Sequence, residues 1–119
     1  REFRVAFEET VLPRIDKFAP ELIIISAGFD AHRQDAMNYG LVELGEDDYF
    51  WVTDRLRSVA EKHCAGRVVS VLEGGYRVKG GAASALARSV ASHVRALVKG
   101  APGKYEGEGA LEAAVKDMD

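Results

Sequence analysis

Hydrophobic residues recur at helical spacing in three stretches of the chain, and they form two unbroken apolar runs between those stretches. Residues 2–18, 46–64 and 82–99 are each predicted to form an amphipathic helix. Pro13 lies inside the first stretch and has no backbone N–H, so we expect that helix to kink or restart at Leu12. The apolar positions that define the first stretch are Phe3, Phe7, Val11, Ile15 and Phe18.

The two apolar runs, residues 21–27 and 67–72, are predicted to be β-strands. In the first run, Leu22 to Ile25 do not alternate with polar residues, a pattern typical of a central parallel strand that is covered on both faces. The order helix–strand–helix–strand–helix predicts an α/β fold in which helices flank a parallel sheet. Two strands leave two unpaired apolar edges, so we expect the sheet to continue in sequence outside this chain. Residues 100–119 are expected to form a polar tail that is loosely ordered or partly helical.

The composition is that of a globular domain and argues against several classes of function. The 119 residues suffice for one small domain, and 47% of them are hydrophobic. A net charge of −3 without any basic run argues against direct nucleic-acid binding, and no apolar stretch approaches the length of a membrane span. The single cysteine, Cys64, excludes an internal disulfide and fits a reducing intracellular location, either nucleus or cytoplasm. His63 and His93 fall on apolar helix faces and are interpreted as packing residues.

One polar side chain follows each predicted strand. Asp30 lies just beyond the first strand, and Tyr76 lies just beyond the second, after the glycine pair Gly74 and Gly75. Sites in open α/β sheets form beyond the carboxyl ends of parallel strands, so we expect the carboxylate and the phenol to lie together. Asp30 is then a candidate zinc ligand, and Tyr76 is a candidate hydrogen-bond donor to an oxyanion. The alternatives are that Asp30 caps a turn and that Tyr76 packs under the third helix.

His32 lies two residues after Asp30 and could share a metal with it. Asp35 could supply a third ligand, but the three side chains would then have to converge from a single loop. We therefore favour a position for His32 behind the ligands or at the rim of the pocket. The neighbouring glycine pair does not form a phosphate-binding loop, because it lacks the lysine–serine/threonine pair and the longer glycine pattern.

Two motifs in this order carry a family resemblance. The chain resembles the zinc-dependent histone deacetylase family, in particular its class II and bacterial members. The resemblance is carried by residues 26–32 (Ser-Ala-Gly-Phe-Asp-Ala-His), Asp35 and residues 72–76 (Leu-Glu-Gly-Gly-Tyr). The resemblance covers residues 1–99 and implies that they are the C-terminal part of a catalytic domain with an arginase-like three-layer fold. Residues 35–40 depart from the family's usual Asp-Pro-Leu-Gly.

The resemblance also implies roles for individual residues. It implies that Asp30 binds the catalytic zinc and that Tyr76 hydrogen-bonds the substrate carbonyl and the oxyanion. The other zinc ligands, an aspartate and a histidine, are expected upstream of this chain, together with a histidine pair that handles the proton of the attacking water. The residues implied to line the acyl-lysine channel are Phe29, Met37, Gly74 and Gly75.

The resemblance implies hydrolysis of acetyl-lysine in proteins, histones in particular, to lysine and acetate. The expected partners are these acetylated proteins and the rest of the catalytic domain. Two alternatives stay open at this point. The substrate could be an acetylpolyamine or another small amide, or the chain could be a non-catalytic module that binds a partner through its sheet edges. On any of these interpretations we expect the isolated chain to be inactive.

Overall fold

The computed structural model describes residues 2–99, so the predicted tail at residues 100–119 lies outside the described residues. The first helical stretch is divided into α1 (Glu2–Ala6), a π-helical turn (Phe7–Val11) and α2 (Leu12–Phe18). The predicted restart at Leu12 is confirmed. Pro13 cannot donate a hydrogen bond, and the wider turn before it, in which Leu12 N–H reaches back to the Phe7 carbonyl, precedes the new helix.

The sheet is formed by β1 (Ile23–Ala27) and β2 (Val68–Leu72), which pair in parallel. The register runs from Ile23 opposite Val68 to Ala27 opposite Leu72. The α/β fold with a parallel sheet and flanking helices is therefore confirmed.

Residues 2–99 by themselves cover only one face of the sheet. One face, which includes Ile25, packs on the core, whereas Ile24, Val69 and Val71 on the other face are exposed. The β-branched run therefore covers more apolar surface than the described residues bury.

Two longer helices complete the described fold, α3 (Glu46–Cys64) and α4 (Ala85–Val98). The bounds predicted for α3 are confirmed. The fourth helix begins three residues later than predicted, because a short 3₁₀ turn (Gly81–Ala83) precedes it and Ser84 caps its first turn by accepting a hydrogen bond from Ala87 N–H. Among residues 2–99, no helix combines the length and the apolar character that a membrane crossing requires.

A buried histidine connects β2 to both long helices. His93 of α4 is 6% exposed, with Nδ1 2.7 Å from Thr53 Oγ1 and Nε2 2.7 Å from Ser70 Oγ. The Thr53 hydroxyl donates its one proton to the Tyr49 carbonyl, so it accepts from His93 Nδ1–H. In the neutral ring, Nε2 then accepts from the Ser70 hydroxyl. Burial lowers the pKa of His93, which favours this neutral form, and the packing role predicted for His93 is confirmed.

The His93 network makes stability depend on pH. The pKa of His93 in the folded state lies below its ordinary value of 6.5, so the unfolded state binds the proton more readily. The free energy of unfolding should therefore fall as the pH drops from about 7.5 to about 5, by about 1.4 kcal/mol for each unit by which the pKa is lowered. Urea unfolding across this range measures the slope.

The matched control for this prediction is the other helix-borne histidine. His63→Gln should retain the slope, since His63 lies beside the Asp16 carboxylate and is not buried in the core. His93→Gln should flatten the slope between pH 5 and 7.5, a range of about one unit on either side of the ordinary pKa of histidine. An unchanged slope in His93→Gln would contradict the assignment of the neutral buried ring.

Candidate functional site

The carboxyl ends of β1 and β2 continue side by side beyond the last strand residues. Glu73 N–H donates to the Ala27 carbonyl at 3.0 Å, and Phe29 N–H donates to the Gly74 carbonyl at 2.9 Å. The two segments that carry the predicted site residues are thus joined by backbone hydrogen bonds. The candidate site begins where this pairing ends.

The Asp30 carboxylate lies directly over the backbone of the β2 segment. A β-carbon placed on Gly74 would be 2.7 Å from Asp30 Oδ2, and one placed on Gly28 would be 3.3 Å from Oδ1. Gly74 is therefore required by the close approach of the carboxylate, since its φ is not in the left-handed region. The backbone carbonyl of Asp30 accepts from Asn38 Nδ2 at 2.9 Å, but within residues 2–99 no N–H or O–H group donates to its carboxylate. The capping alternative for Asp30 is thus not supported.

A second carboxylate in the same loop has the opposite environment. Asp35 is 5% exposed, and its Oδ2 accepts from Tyr76 N–H at 2.6 Å and Arg77 N–H at 3.0 Å. Its Oδ1 accepts from Met37 N–H at 3.0 Å. Burial acts to raise the pKa of Asp35, but these three N–H groups outweigh it, and the pKa lies below its ordinary value. The sequence indicated Asp35 as a possible metal ligand and as part of the family motif, but carried no signal of this bridge between the two loops.

Tyr76 presents its side chain outward. It is 58% exposed, so the alternative that it packs under the third predicted helix, which is α4 in the structure, is wrong. Its backbone N–H is fixed by Asp35, and Gly74, two residues earlier, lies against the Asp30 carboxylate. The structure thus places the segments carrying Asp30 and Tyr76 at one edge of the sheet. The roles of zinc ligand and oxyanion donor stay predictions.

The four residues implied to line the channel have different environments. Gly74 meets the Asp30 carboxylate, and Met37 is about half-exposed on the 3₁₀ turn Ala36–Asn38. A β-carbon on Gly75, whose φ is +130°, would be 2.6 Å from Leu86 Cδ1. The position implied for Phe29 differs from the structure. The Phe29 ring is 3% exposed and packs against Tyr49 and His93 in the core, so it does not present a channel wall.

His32 is buried, not placed at a rim. It is 1% exposed, its Nδ1 accepts from Gln34 N–H at 3.1 Å, and its Nε2 lies 3.4 Å from Glu46 Oε1. Both ring nitrogens are therefore directed at other groups, and an Asp30–His32 ligand pair is not formed. Glu46 Oε1 also accepts from Arg88 Nε at 2.6 Å, so this cluster anchors the loop after β1 to α3 and α4.

The described residues supply candidate ligands for only one part of a metal site. Across residues 2–99, no group of three or more His, Cys, Asp or Glu side chains is arranged to hold a metal ion. In the loop after β1, Asp30 offers a carboxylate that is not fully buried and that accepts no hydrogen bond from residues 2–99, unlike Asp35. A hard or borderline cation such as zinc is bound well by such an oxygen, but a catalytic zinc site needs about three protein ligands.

Comparison with known proteins decides the family. The family described as histone deacetylase domain matches residues 1–97. The chain belongs to the histone deacetylase family. The resemblance carried by residues 26–32 and 72–76 is thereby confirmed.

Individual deacetylases show the extent of this relationship. The chain is 46% identical over 89 residues to type-2 histone deacetylase 2 of Dictyostelium discoideum, covering 75% of this chain and 5% of that protein. It is 39% identical over 71 residues to a histone deacetylase-like amidohydrolase of Pseudomonas aeruginosa, covering 60% of this chain and 18% of that protein. The crystal structure of the HDA15 HD domain superimposes with a TM-score of 0.67 at 29% identity, covering 98% of this chain and 30% of that one. The chain spans between 5% and 21% of the length of the curated relatives.

The contact between Asp30 and Gly74 gives a testable prediction. Gly74→Ala should destabilise the protein by about 1–3 kcal/mol, because the new methyl group and the carboxylate cannot occupy the same space. Thermal unfolding measures the effect. Gly74→Ser should be at least as destabilising, because it adds a further atom at the same position.

Gly45→Ala is the matched control. A β-carbon there would meet only the flexible end of Arg33, at 3.3 Å from Nη1, and the φ of Gly45 is −119°. We expect a loss below about 1 kcal/mol in this variant, the usual scale of an N-cap exchange. Equal midpoints for wild type and Gly74→Ala would contradict this prediction and show that the Asp30 carboxylate can move away from the new methyl group without cost.

Proposed function

We propose that this chain is the C-terminal part of the catalytic domain of a zinc-dependent deacetylase that hydrolyses acetyl-lysine in proteins, histones in particular. Membership of the histone deacetylase family supports the enzyme class. The observation that carries the assignment of the site is the Asp30 carboxylate, half-buried over Gly74 with no internal donor. A carboxylate in this position is stabilised by a cation, which the described residues do not supply.

In this proposal Asp30 is one of three protein ligands that hold the zinc. The other two ligands and the general base belong to parts of the protein outside this chain. When bound, zinc supplies Lewis acidity for the amide carbonyl and lowers the pKa of a water. Asp30 contributes a negative oxygen, and the close packing over Gly28 and Gly74 limits the positions its side chain can adopt.

Tyr76 is proposed to donate its hydroxyl proton in a hydrogen bond to the oxyanion that develops on the substrate. Its exposed side chain can reach a bound substrate, while its backbone is fixed by Asp35. Hydrolysis breaks the amide C–N bond; water supplies the oxygen of acetate and the proton that the lysine amine gains. Fixed donors aimed at such an oxyanion stabilise the transition state more than the ground state.

The rest of the catalytic domain is the proposed partner of the exposed sheet face. Ile24 is 66% exposed, and Val69 and Val71 on the same face are 48% and 49% exposed. Apolar strands of this kind bury their surface against further strands and helices. We also propose a reducing intracellular location, because the free thiol of Cys64 is a buried packing group.

The first test concerns the chain alone. Purified residues 1–119 should show no zinc-dependent deacetylation, because one carboxylate cannot hold zinc as a catalytic site does. Incubation with an acetyl-lysine peptide and zinc, followed by measurement of released acetate, checks this. Clear turnover would contradict the proposal that essential groups lie outside the chain.

The second test concerns Tyr76 in the full-length protein. Tyr76→Phe should lower kcat by about 100- to 1,000-fold, since it removes one oxyanion donor and keeps the ring. Tyr39→Phe is the matched control, because Tyr39 is an exposed tyrosine of the loop after β1 and undergoes the same chemical change. We expect Tyr39→Phe to retain activity within about twofold, as surface substitutions usually do.

The outcomes separate the alternatives. Equal kcat for Tyr76→Phe and wild type would contradict the catalytic role. Faster turnover of an acetylpolyamine than of an acetyl-lysine peptide would show that the substrate is a small amide. No turnover of either substrate by the wild-type protein would favour the non-catalytic module.

A further inference from the structure

The buried carboxylate of Asp35 connects the loop after β1 to the segment after β2. Its Oδ2 accepts from two consecutive backbone N–H groups, those of Tyr76 and Arg77, at 2.6 and 3.0 Å. Hydrogen bonds to an ionised acceptor are shorter and stronger than neutral ones, and a buried site strengthens them further. Both donors are backbone groups, so this contact fixes where the main chain of Tyr76 lies.

The loop that carries Asp35 also carries Asp30. Asn38 Nδ2 donates to the backbone carbonyls of Asp30 and His32 at 2.9 and 3.0 Å, and Asp35 Oδ1 accepts from Met37 N–H. This segment is therefore held in one conformation by its own side chains. A group fixed to it keeps a constant position relative to the Asp30 carboxylate.

Little else in the described residues orients Tyr76. Its side chain is exposed, and among residues 2–99 no group forms a hydrogen bond with its hydroxyl. The Tyr76 carbonyl accepts from Val78 N–H at 3.0 Å within the same segment, and the first contact with α4 is at the Arg77 carbonyl, which accepts from Leu86 N–H at 3.2 Å. The bridge from Asp35 is thus the shortest polar contact that fixes the tyrosine backbone.

We propose that Asp35 is a positioning residue that sets Tyr76 relative to Asp30, an inference that rests on the proposed function. It differs from the ligand role considered from the sequence. Both Asp35 oxygens already accept N–H groups and the residue is 5% exposed, so metal binding would require these bonds to break. Asp35 acts on the reaction only through the tyrosine.

A double-mutant cycle in the full-length protein tests this. Asp35→Asn preserves size but loses the charge, and in either orientation its N–H₂ group faces a backbone N–H, that of Met37 or those of Tyr76 and Arg77, so the bridge to Tyr76 should weaken. We expect kcat to fall about 10- to 100-fold with little change in KM, since misplacement by about 1 Å has effects of this size. In the Tyr76→Phe background, the same exchange should change kcat by no more than about twofold, because the hydroxyl that Asp35 positions is already absent.

A second readout does not depend on activity. In metal-free protein, hydrogen exchange at the amides of Tyr76 and Arg77 should be faster in Asp35→Asn than in wild type. Asp54→Asn is the matched control, because Asp54 is equally buried at 5% exposure but pairs with Arg57 of α3 and with Lys99, the residue after α4. Asp54→Asn should leave both amides protected from exchange, and any effect of it on kcat should simply add to that of Tyr76→Phe.

Additivity, an unchanged kcat, or failure of both Asp35 variants to fold would each overturn the inference. Additive losses in Asp35→Asn and Tyr76→Phe would assign Asp35 a role separate from the tyrosine. Unchanged kcat in a folded Asp35→Asn would remove the role altogether. If Asp35→Asn does not fold, Asp35→Glu, which retains the charge, takes its place; failure of both variants to fold would show that Asp35 holds the fold and not the tyrosine. An inactive wild type would instead contradict the proposed function.

Discussion

The parallel register of β1 and β2 is the constraint on which the site depends. Ala27 lies opposite Leu72, and the pairing continues until the Asp30 carboxylate lies over Gly74. A slip of one residue would place Glu73 or Gly75 beneath that carboxylate. Glu73 would bring a side chain and a second negative charge to a position with room for neither. Gly75 is needed where it is, since its φ is +130° and it packs against Leu86 and Phe29. The strand register therefore determines the geometry of the site, and the side chains at the site fit only this register.

Two buried polar groups hold this register from opposite sides. His93 joins β2 to α3 through Ser70 and Thr53, and Asp35 joins the two loops beyond the strands. Each group has hydrogen-bond partners at both of its polar atoms, so its burial stabilises one arrangement and penalises others. The sheet itself has only two described strands, and such a pair is marginal without packing. The networks to the helices and loops thus contribute to fixing the strands.

Hydrophobic periodicity was sufficient to predict the elements, because helix and strand patterns are local. The bounds of α3, the restart at Leu12 and the parallel crossover all follow from residues near each other in the chain. The ends of the two predicted strands indicated Asp30 and Tyr76, and the resemblance implied their roles. The bridge from Asp35 could not be predicted in this way, since its donors lie more than forty residues away and reach it only through the register.

The orientations of Phe29 and His32 could not be predicted for the same reason. The resemblance implied a channel wall for Phe29, and His32 was expected behind the ligands or at the rim; both side chains turn into the interior, which excludes the channel wall for Phe29 and the rim for His32. His32 meets Glu46, and Phe29 meets Tyr49, so α3 decides their orientation. In a strand, adjacent side chains point to opposite faces, so their directions could have been predicted. Residues 28–35 follow the end of β1 as a loop, where no such alternation holds. Only the position of α3 against this loop determines which side chains face outward.

Asp30 and Asp35 show how one loop gives two identical side chains different chemistry. Asp35 is nearly fully buried and accepts three N–H groups, so its charge is balanced inside the chain and its role is to hold position. Asp30 is half-buried with no donor from the described residues, so its charge has no balance there. A carboxylate that water reaches keeps free oxygens able to bind a cation, whereas a buried one that already accepts several N–H groups does not. This contrast between an open and a satisfied carboxylate is the physical reason that we propose a cation at Asp30 and none at Asp35.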